Sequence, residues 1–184
     1  VNAPAPIHLL DADTPERLAD LSALAHIIWQ QHYVPLIGQA QVEYMLAEGY
    51  SDEALMRDHE AGKRFTLAMR GERAIGFAAV SPPEPSEPDC AWLDKLYVAQ
   101  EARNLGVGRR LVERAAWQID EFWSAEKMAL RVNRHNDSSI TAYKAMGFAI
   151  CDTDVKPIGQ GFVMDDYIMR APRAHLANRS AASN

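Results

Sequence analysis

The chain has 184 residues, 48% hydrophobic and 24% charged, a composition that suits one globular domain with its own core. A net charge of −6 argues against the basic face on which a nucleic-acid partner would depend. The two cysteines, Cys90 and Cys151, form no CxxC-type spacing, so two reduced thiols and no bound metal are expected.

No apolar run approaches the roughly 18 residues of a membrane span. The stretch VNAPAPIHLL carries neither the basic nor the apolar region of a signal peptide. The expectation is therefore a cytoplasmic protein without a membrane partner. Residues 1–6 read as a flexible N-terminal segment, 7–171 as a single domain and 172–184 as a polar C-terminal tail.

IHLL (7–10) reads as a first strand. Residues 13–33 read as a helix, with Thr14 or Asp13 as its cap, Pro15 in its first position, and Leu18, Leu21, Ala25 and Ile28 at helical spacing. Pro35 and Gly38 break the chain. QAQVEYMLAEGY and SDEALMRDHEAGK follow as two shorter helices, the second capped by Ser51. RFTLAMR and RAIGFAAV, joined at Gly71-Glu72, read as a hairpin. SPPEPSEPD (81–89), with four prolines, is a loop. AWLDKLYV (91–98) is a strand, and a helix runs from about Val107 to Trp123 with Val107, Leu111, Ala115, Ile119 and Phe122 as its apolar stripe. KMALRVN (127–133) closes a strand–helix–strand unit and hence a locally parallel pair. A short helix over 137–147 ends at Gly147, and FAICDTDV and FVMDDYIMR form a last antiparallel pair.

The connection LYVAQEARNLGVGRRL places Gly106 and Gly108 at a helix start. Such a start offers unpaired N–H groups and the positive end of the helix dipole, and glycines let an anion come close. Arg103, Arg109 and Arg110 add charge, so a phosphate or pyrophosphate is the natural guest. The stretch is not a P-loop, which needs GxxxxGK[ST]. Nor is it a dinucleotide fingerprint, because the third glycine position holds Leu111 and seven residues separate the strand from Gly106. A tight turn with glycines for packing is the plain alternative.

Arg103-x-x-Gly106-x-Gly108, followed by Asn136, Tyr143, Gly147 and Phe148 in NDSSITAYKAMGF, resembles the GCN5-related N-acetyltransferase (GNAT) superfamily over residues 7–171. The resemblance implies an α/β fold of mixed α+β character: a central mixed, twisted sheet of about six to seven strands, splayed parallel central strands, and helices on both faces. It implies acetyl-CoA as cosubstrate, lying between strands 91–98 and 127–133. The pantetheine arm would pair with Leu96, Tyr97 and Val98, and the pyrophosphate would meet Arg103, Asn104, Leu105, Gly106, Val107, Gly108 and Arg109. Asn136, Ser139 and Tyr143 complete the expected cosubstrate site.

The same resemblance implies Tyr143 as the acid that protonates departing thiolate, with packing on its helix as the plain alternative. Asp94 is the first choice of base. A surface aspartate paired with Lys95 or Arg131 is its alternative, and His26, His32 and His59 read as ordinary residues. Trp29, Tyr33 and Trp92, with Tyr44 and Met164, are expected to line the acceptor site; Asp165 and Asp166 could meet a cationic acceptor. The layout is similar to that of bacterial polyamine acetyltransferases. The expected activity is acetyl transfer to a primary amine of a small, polyamine-like molecule by direct attack in a ternary complex, in a chain for which a homodimer is allowed. Two alternatives stand: a catalytically silent acyl-CoA-binding regulatory domain, and a protein N-terminal or lysine acetyltransferase.

Overall fold

Capping and turn residues set most of the element boundaries in the structure, a computed structural model that describes residues 5–177. Residues 1–4 of the expected N-terminal segment and 178–184 of the expected tail lie outside the described residues. β1 (Ile7–Asp11) leads to α1 (Pro15–His32), where the Thr14 hydroxyl accepts from the Arg17 N–H at 3.4 Å and Pro15 occupies the first turn. Pro35 and Gly38 frame one helical turn, α2 (Val34–Ile37). α3 (Gln39–Tyr50) precedes α4 (Asp52–Glu60), whose Ser51 cap accepts from the Ala54 N–H at 3.2 Å. β2 (Arg64–Arg70) and β3 (Arg73–Ser81) form the hairpin.

β4 (Cys90–Val98) is followed by a short 3-10 turn (Gln100–Ala102), α5 (Val107–Trp123) and β5 (Lys127–Asn133). α6 (Asp137–Met146) stops at Gly147 in a left-handed conformation. β6 (Ala149–Gly159), β7 (Phe162–Pro172) and α7 (Arg173–Ala177) complete the described chain. The expected polar tail is thus partly ordered structure. Pro172 ends β7, the Arg173 side chain meets Asp120 at 2.8 Å, and Leu176 is buried.

Seven strands hydrogen-bond in the order β1-β2-β3-β4-β5-β7-β6. β4 and β5 are parallel, with Cys90 opposite Lys127, Ala91 opposite Met128 and Trp92 opposite Ala129. α5 supplies the crossover that a parallel pair requires.

The chain divides into two compact units. The first runs to Val80 and resumes over Lys95–Ala115; the second takes Ser81–Asp94 and the chain from Ala116 onward. In the first, Leu18, Leu21, Ile28, Val42, Leu46, Leu55, Phe65, Leu67 and Phe77 are buried. The Ser22 hydroxyl donates to the Tyr50 carbonyl at 2.7 Å and Lys95 Nζ to the Gly49 carbonyl at 3.2 Å, which satisfies last-turn carbonyls of α3. Arg114 holds both carboxylate oxygens of Asp11, and Arg110 donates to the Ile7 carbonyl at 2.9 Å, so the start of α5 is fastened to β1.

In the second unit Met128, Ala129, Leu130 and Val132 are all buried, which covers β5 on both faces. The proline-rich loop is held by Glu87 to Arg170 at 3.0 Å and by Asp89 to Lys127 at 2.7 Å. One residue departs from the expected stripe of α5. Val107, Leu111, Ala115 and Ile119 are buried, but Phe122 is 46% exposed. Its angle on the helix falls within the buried arc, so its exposure comes from its place in the last turn. Among the described residues no helix is long and apolar enough to cross a membrane.

Gly76 marks the tightest approach in the first unit. A Cβ there would stand 2.9 Å from the Tyr97 carbonyl oxygen, 3.2 Å from Val107 Cγ1 and 3.3 Å from Leu111 Cδ1. Gly76→Ala is expected to cost about 1–3 kcal/mol, the usual penalty of overpacking, measured as a lowered urea midpoint with unchanged slope.

Candidate active site

The turn between β4 and α5 carries the first group of candidate residues. Leu96, Tyr97 and Val98 form the half-buried end of β4. Beyond the 3-10 turn, Asn104 and Gly106 both have positive φ, 63° and 76°. Alternating left-handed residues turn successive N–H groups toward one side, the concave arrangement that receives anions. A Cβ at Gly106 would meet nothing within 4 Å, so glycine there serves conformation rather than packing. α5 begins at Val107, and its first backbone bond runs from the Arg110 N–H to the Gly106 carbonyl at 3.1 Å, so the N–H groups of Val107, Gly108 and Arg109 precede the helical ladder. Arg103, Asn104 and Leu105 are exposed, and Gly108 and Arg109 half-buried. Arg110, expected to add charge here, also donates to the Ile7 carbonyl of β1 at 2.9 Å.

The same unit gathers aromatic rings. Trp29 stacks on Tyr33 at 4.5 Å and lies 5.3 Å from Tyr50 and 5.9 Å from Tyr97. Trp29 is 3% exposed, and its indole N–H is buried without a hydrogen-bond partner among the described residues. Lys95 Nζ sits 4.1 Å over the Tyr50 ring. Tyr44 is half-buried on α3. His26 is held by the Ser22 carbonyl at 2.8 Å, and the His32 ring meets the edge of Tyr33. His59 is half-buried on α4, and no hydrogen bond reaches its Nδ1.

In the second unit, Asn136 is 3% exposed and caps α6: its Oδ1 accepts from the Ser139 N–H at 3.2 Å and the Ser138 hydroxyl at 3.1 Å. Tyr143, half-buried on that helix, packs edge-on against Phe148 at 5.9 Å. Asp94 is exposed and accepts a hydrogen bond from Ser81 Oγ. Trp92 packs with Cys90, Ala129 and Ile168, and the Arg131 guanidinium lies 3.9 Å over its ring. Arg131 Nε also meets Asp154 at 2.8 Å, and Lys156 approaches Asp154 at 3.6 Å, which holds the Asp154 carboxyl below its ordinary range. Burial pushes the Cys90 thiol up, so Cys90 is a poor nucleophile; Cys151 is exposed.

The two aspartates expected to face a cation differ sharply. Asp165 is paired with Arg134 at 2.8 Å. Asp166 is 3% exposed, and its carboxylate has neither a hydrogen bond nor an ion pair among the described residues. Burial, reinforced by the Asp154 charge, pushes its carboxyl up to about 6. Met164, in register with Lys156, is half-buried on the same strand. Among the described residues no group of three or more His, Cys, Asp or Glu stands together as metal ligands.

The sequence pattern of the acetyltransferase (GNAT) family matches residues 21–148, and the chain belongs to that family. It is an acetyltransferase. No curated protein matches the sequence. Among solved structures, PaiA N-acetyltransferase from Thermoplasma acidophilum in complex with coenzyme A is 23% identical, with a TM-score of 0.75 over 91% of this chain and 99% of that one. A ribosomal-protein-alanine N-acetyltransferase from Brucella melitensis is 21% identical, with a TM-score of 0.64 over 90% and 99%. A spermidine N-acetyltransferase SpeG chimera from Vibrio cholerae and hSSAT is 18% identical, with a TM-score of 0.68 over 94% and 99%. The mixed seven-stranded sheet is the fold they share with this chain.

The Asp166 carboxyl makes stability depend on pH in a definite direction. A carboxyl raised from 3.8 to about 6 on folding favours the folded chain below pH 3.8, and that contribution is lost as pH rises through about 6. Ionised Asp166 therefore costs at most about 3 kcal/mol above pH 6. Asp166→Asn is expected to match the parent near pH 4 and to exceed it increasingly up to about pH 6, after which the gap levels off. Urea unfolding of both proteins across this range measures it.

Proposed function

We propose that the chain transfers the acetyl group of acetyl-CoA to a primary amine of a small, polyamine-like molecule, by direct attack in a ternary complex. The observation that carries this reading is the turn at Asn104 and Gly106, two left-handed residues that leave the start of α5 open to an anion in a chain of this family. The pyrophosphate of acetyl-CoA is that anion, with Arg103 and Arg109 beside it. The N-acetyltransferase complex with coenzyme A, which shares the fold, supports the cosubstrate, and the spermidine N-acetyltransferase supports the acceptor class.

The pantetheine arm pairs with the backbone of Leu96, Tyr97 and Val98, an added strand at the end of β4. Asn136 fixes the arm from the start of α6, next to Ser139. Trp29 and Tyr33 wall the acceptor, and the unpartnered indole N–H of Trp29 is a donor left over for it. Trp92, in the second unit under Arg131, is a further residue assigned to the acceptor. Asp94 contacts the cationic acceptor. Tyr143 donates a proton to the departing thiolate. Direct attack fits a buried Cys90 whose thiol is pushed up and away from reactivity.

The decisive experiment follows thiol release from acetyl-CoA across polyamines, amino acids, aminoglycosides and N-terminal peptides. Turnover with polyamines supports the reading; turnover confined to peptides assigns the chain to protein acetylation instead. Absence of turnover with every amine, together with tight CoA binding, leaves a silent binder.

Two variants test the parts. Gly108→Asp places bulk and negative charge at the anion site, and calorimetry is expected to detect no CoA binding by the folded variant. Tyr143→Phe keeps the ring and loses the proton. Its kcat is expected to fall about 10²-fold, the lower end for loss of an acid, because thiolate is a tolerable leaving group. Its CoA affinity should hold, as the hydroxyl acts once charge develops on sulfur. An unchanged kcat assigns Tyr143 to packing alone.

A further inference from the structure

We propose that Asp166 takes the proton that the acceptor's ammonium must lose before its nitrogen attacks the thioester, while Asp94 contacts the acceptor without serving as base. The inference rests on the amine-acetyltransferase reading given above.

Strand register places the residue. Trp92 stands opposite Ala129, and alternation carries the same face along β4 to Asp94 and along β5 to Arg131 and Asn133. Asn133 is opposite Asp166 on β7, and Asp166 is opposite Asp154 on β6. Asp94, Trp92, Arg131 and Asp166 therefore share one face of the sheet. β5 separates β4 from β7 and the β4–β5 pairing ends at Trp92, so Asp94 and Asp166 stand at least two strand spacings, about 10 Å, apart, and an acceptor several bonds long meets them with different atoms.

Burial and partnership then separate the two carboxylates. Asp94 is exposed and hydrogen bonded by Ser81. Asp166 is buried, and its carboxylate has no hydrogen bond or ion pair among the described residues. A buried carboxylate in that condition is costly, and such groups concentrate where chemistry uses them. The neighbouring cations, Arg131 and Lys156, relieve it only in part. Arg131 reaches across β7 to Asp154, and Lys156 also serves Asp154. Asp152 lies on the same face two residues from Asp154, and on β7 itself Asp165 is taken by Arg134. The result is a carboxyl pushed up to about 6, ionised at neutral pH and yet basic enough to accept a proton.

The step balances. The ammonium gives one proton to the Asp166 carboxylate, directly or across one water. The freed nitrogen pair forms the bond to the acetyl carbon, and the carbon–sulfur bond breaks with its electron pair on sulfur. Tyr143 protonates that sulfur and recovers a proton from the new amide nitrogen. Asp166 returns its proton to solvent.

The test is kcat/KM against pH with acetyl-CoA and spermidine as the probe acceptor, for the parent, Asp166→Asn and Asp94→Asn. The parent is expected to show a rising limb with an apparent pKa near 6, since kcat/KM reports the free enzyme. Asp94→Asn keeps that limb. Asp166→Asn loses it and falls about 10²–10⁴-fold, the range for loss of a general base. A limb that persists in Asp166→Asn, or that disappears in Asp94→Asn instead, overturns the inference. So does a parent enzyme with no limb near 6, a result that needs no variant to fold. A parent that releases no thiol with spermidine is a different outcome: the polyamine reading fails, and the inference falls with it.

Discussion

The absence of a methyl group at position 76 governs how the start of α5 lies on the sheet. The Tyr97 carbonyl, Val107 and Leu111 all crowd the place where a Cβ would stand. The Ala99 N–H bonds to the Ile75 carbonyl at 2.9 Å, so the chain leaves β4 at the same point. With strand end and helix start both pinned, the residues between them must turn within a short span. Left-handed conformations at Asn104 and Gly106 accomplish that turn. The open start of α5 is thus a consequence of packing: the backbone conformation that reconciles strand and helix also leaves N–H groups outside the helical ladder.

The second unit holds a different constraint. Because β7 lies between β5 and β6, the Arg131–Asp154 ion pair must cross it. Arg131 is anchored at both ends of its reach, over the Trp92 ring and at Asp154. An arginine so committed has little freedom to neutralise Asp166, although its charge still opposes the upward push on that carboxyl. A chain selected for stability alone would place an asparagine or an apolar residue at 166. Costs of this kind are retained where a site needs the ionisable group.

Local signals made most of the architecture legible in the sequence. Thr14 and Ser51 announced helix starts, Gly147 a helix end, and the strand–helix–strand spacing a parallel pair. The glycine turn and its arginines pointed to a family whose sequence pattern does match the chain. Pairwise facts across distant strands were not legible. In FVMDDYIMR both alternating sets mix apolar and charged residues, so periodicity alone does not say which aspartate faces inward. The register against Asn133 and Asp154, set by β5 and β6, decides it. The partner of Arg110 is likewise invisible to local signals: it is a carbonyl on β1, more than a hundred residues away. Phe122 had the right helical angle and the wrong height along the axis.

Charge on the face that carries Asp166 bears on what the site attracts. Arg170 is matched by Glu87 and Lys127 by Asp89. Arg131 and Lys156 share Asp154. Asp94, Asp152 and Asp166 add further carboxylates to the same face, so carboxylates outnumber cations there, a balance that favours a positively charged guest. Attraction and proton transfer call for opposite properties. An exposed carboxylate in water attracts an ammonium but takes its proton poorly, because it is too weak a base. A buried one is a stronger base but is hard to reach. On the proposed assignment, an exposed aspartate on β4 and a buried one on β7 divide this work, and the face gains both properties, which neither side chain supplies alone.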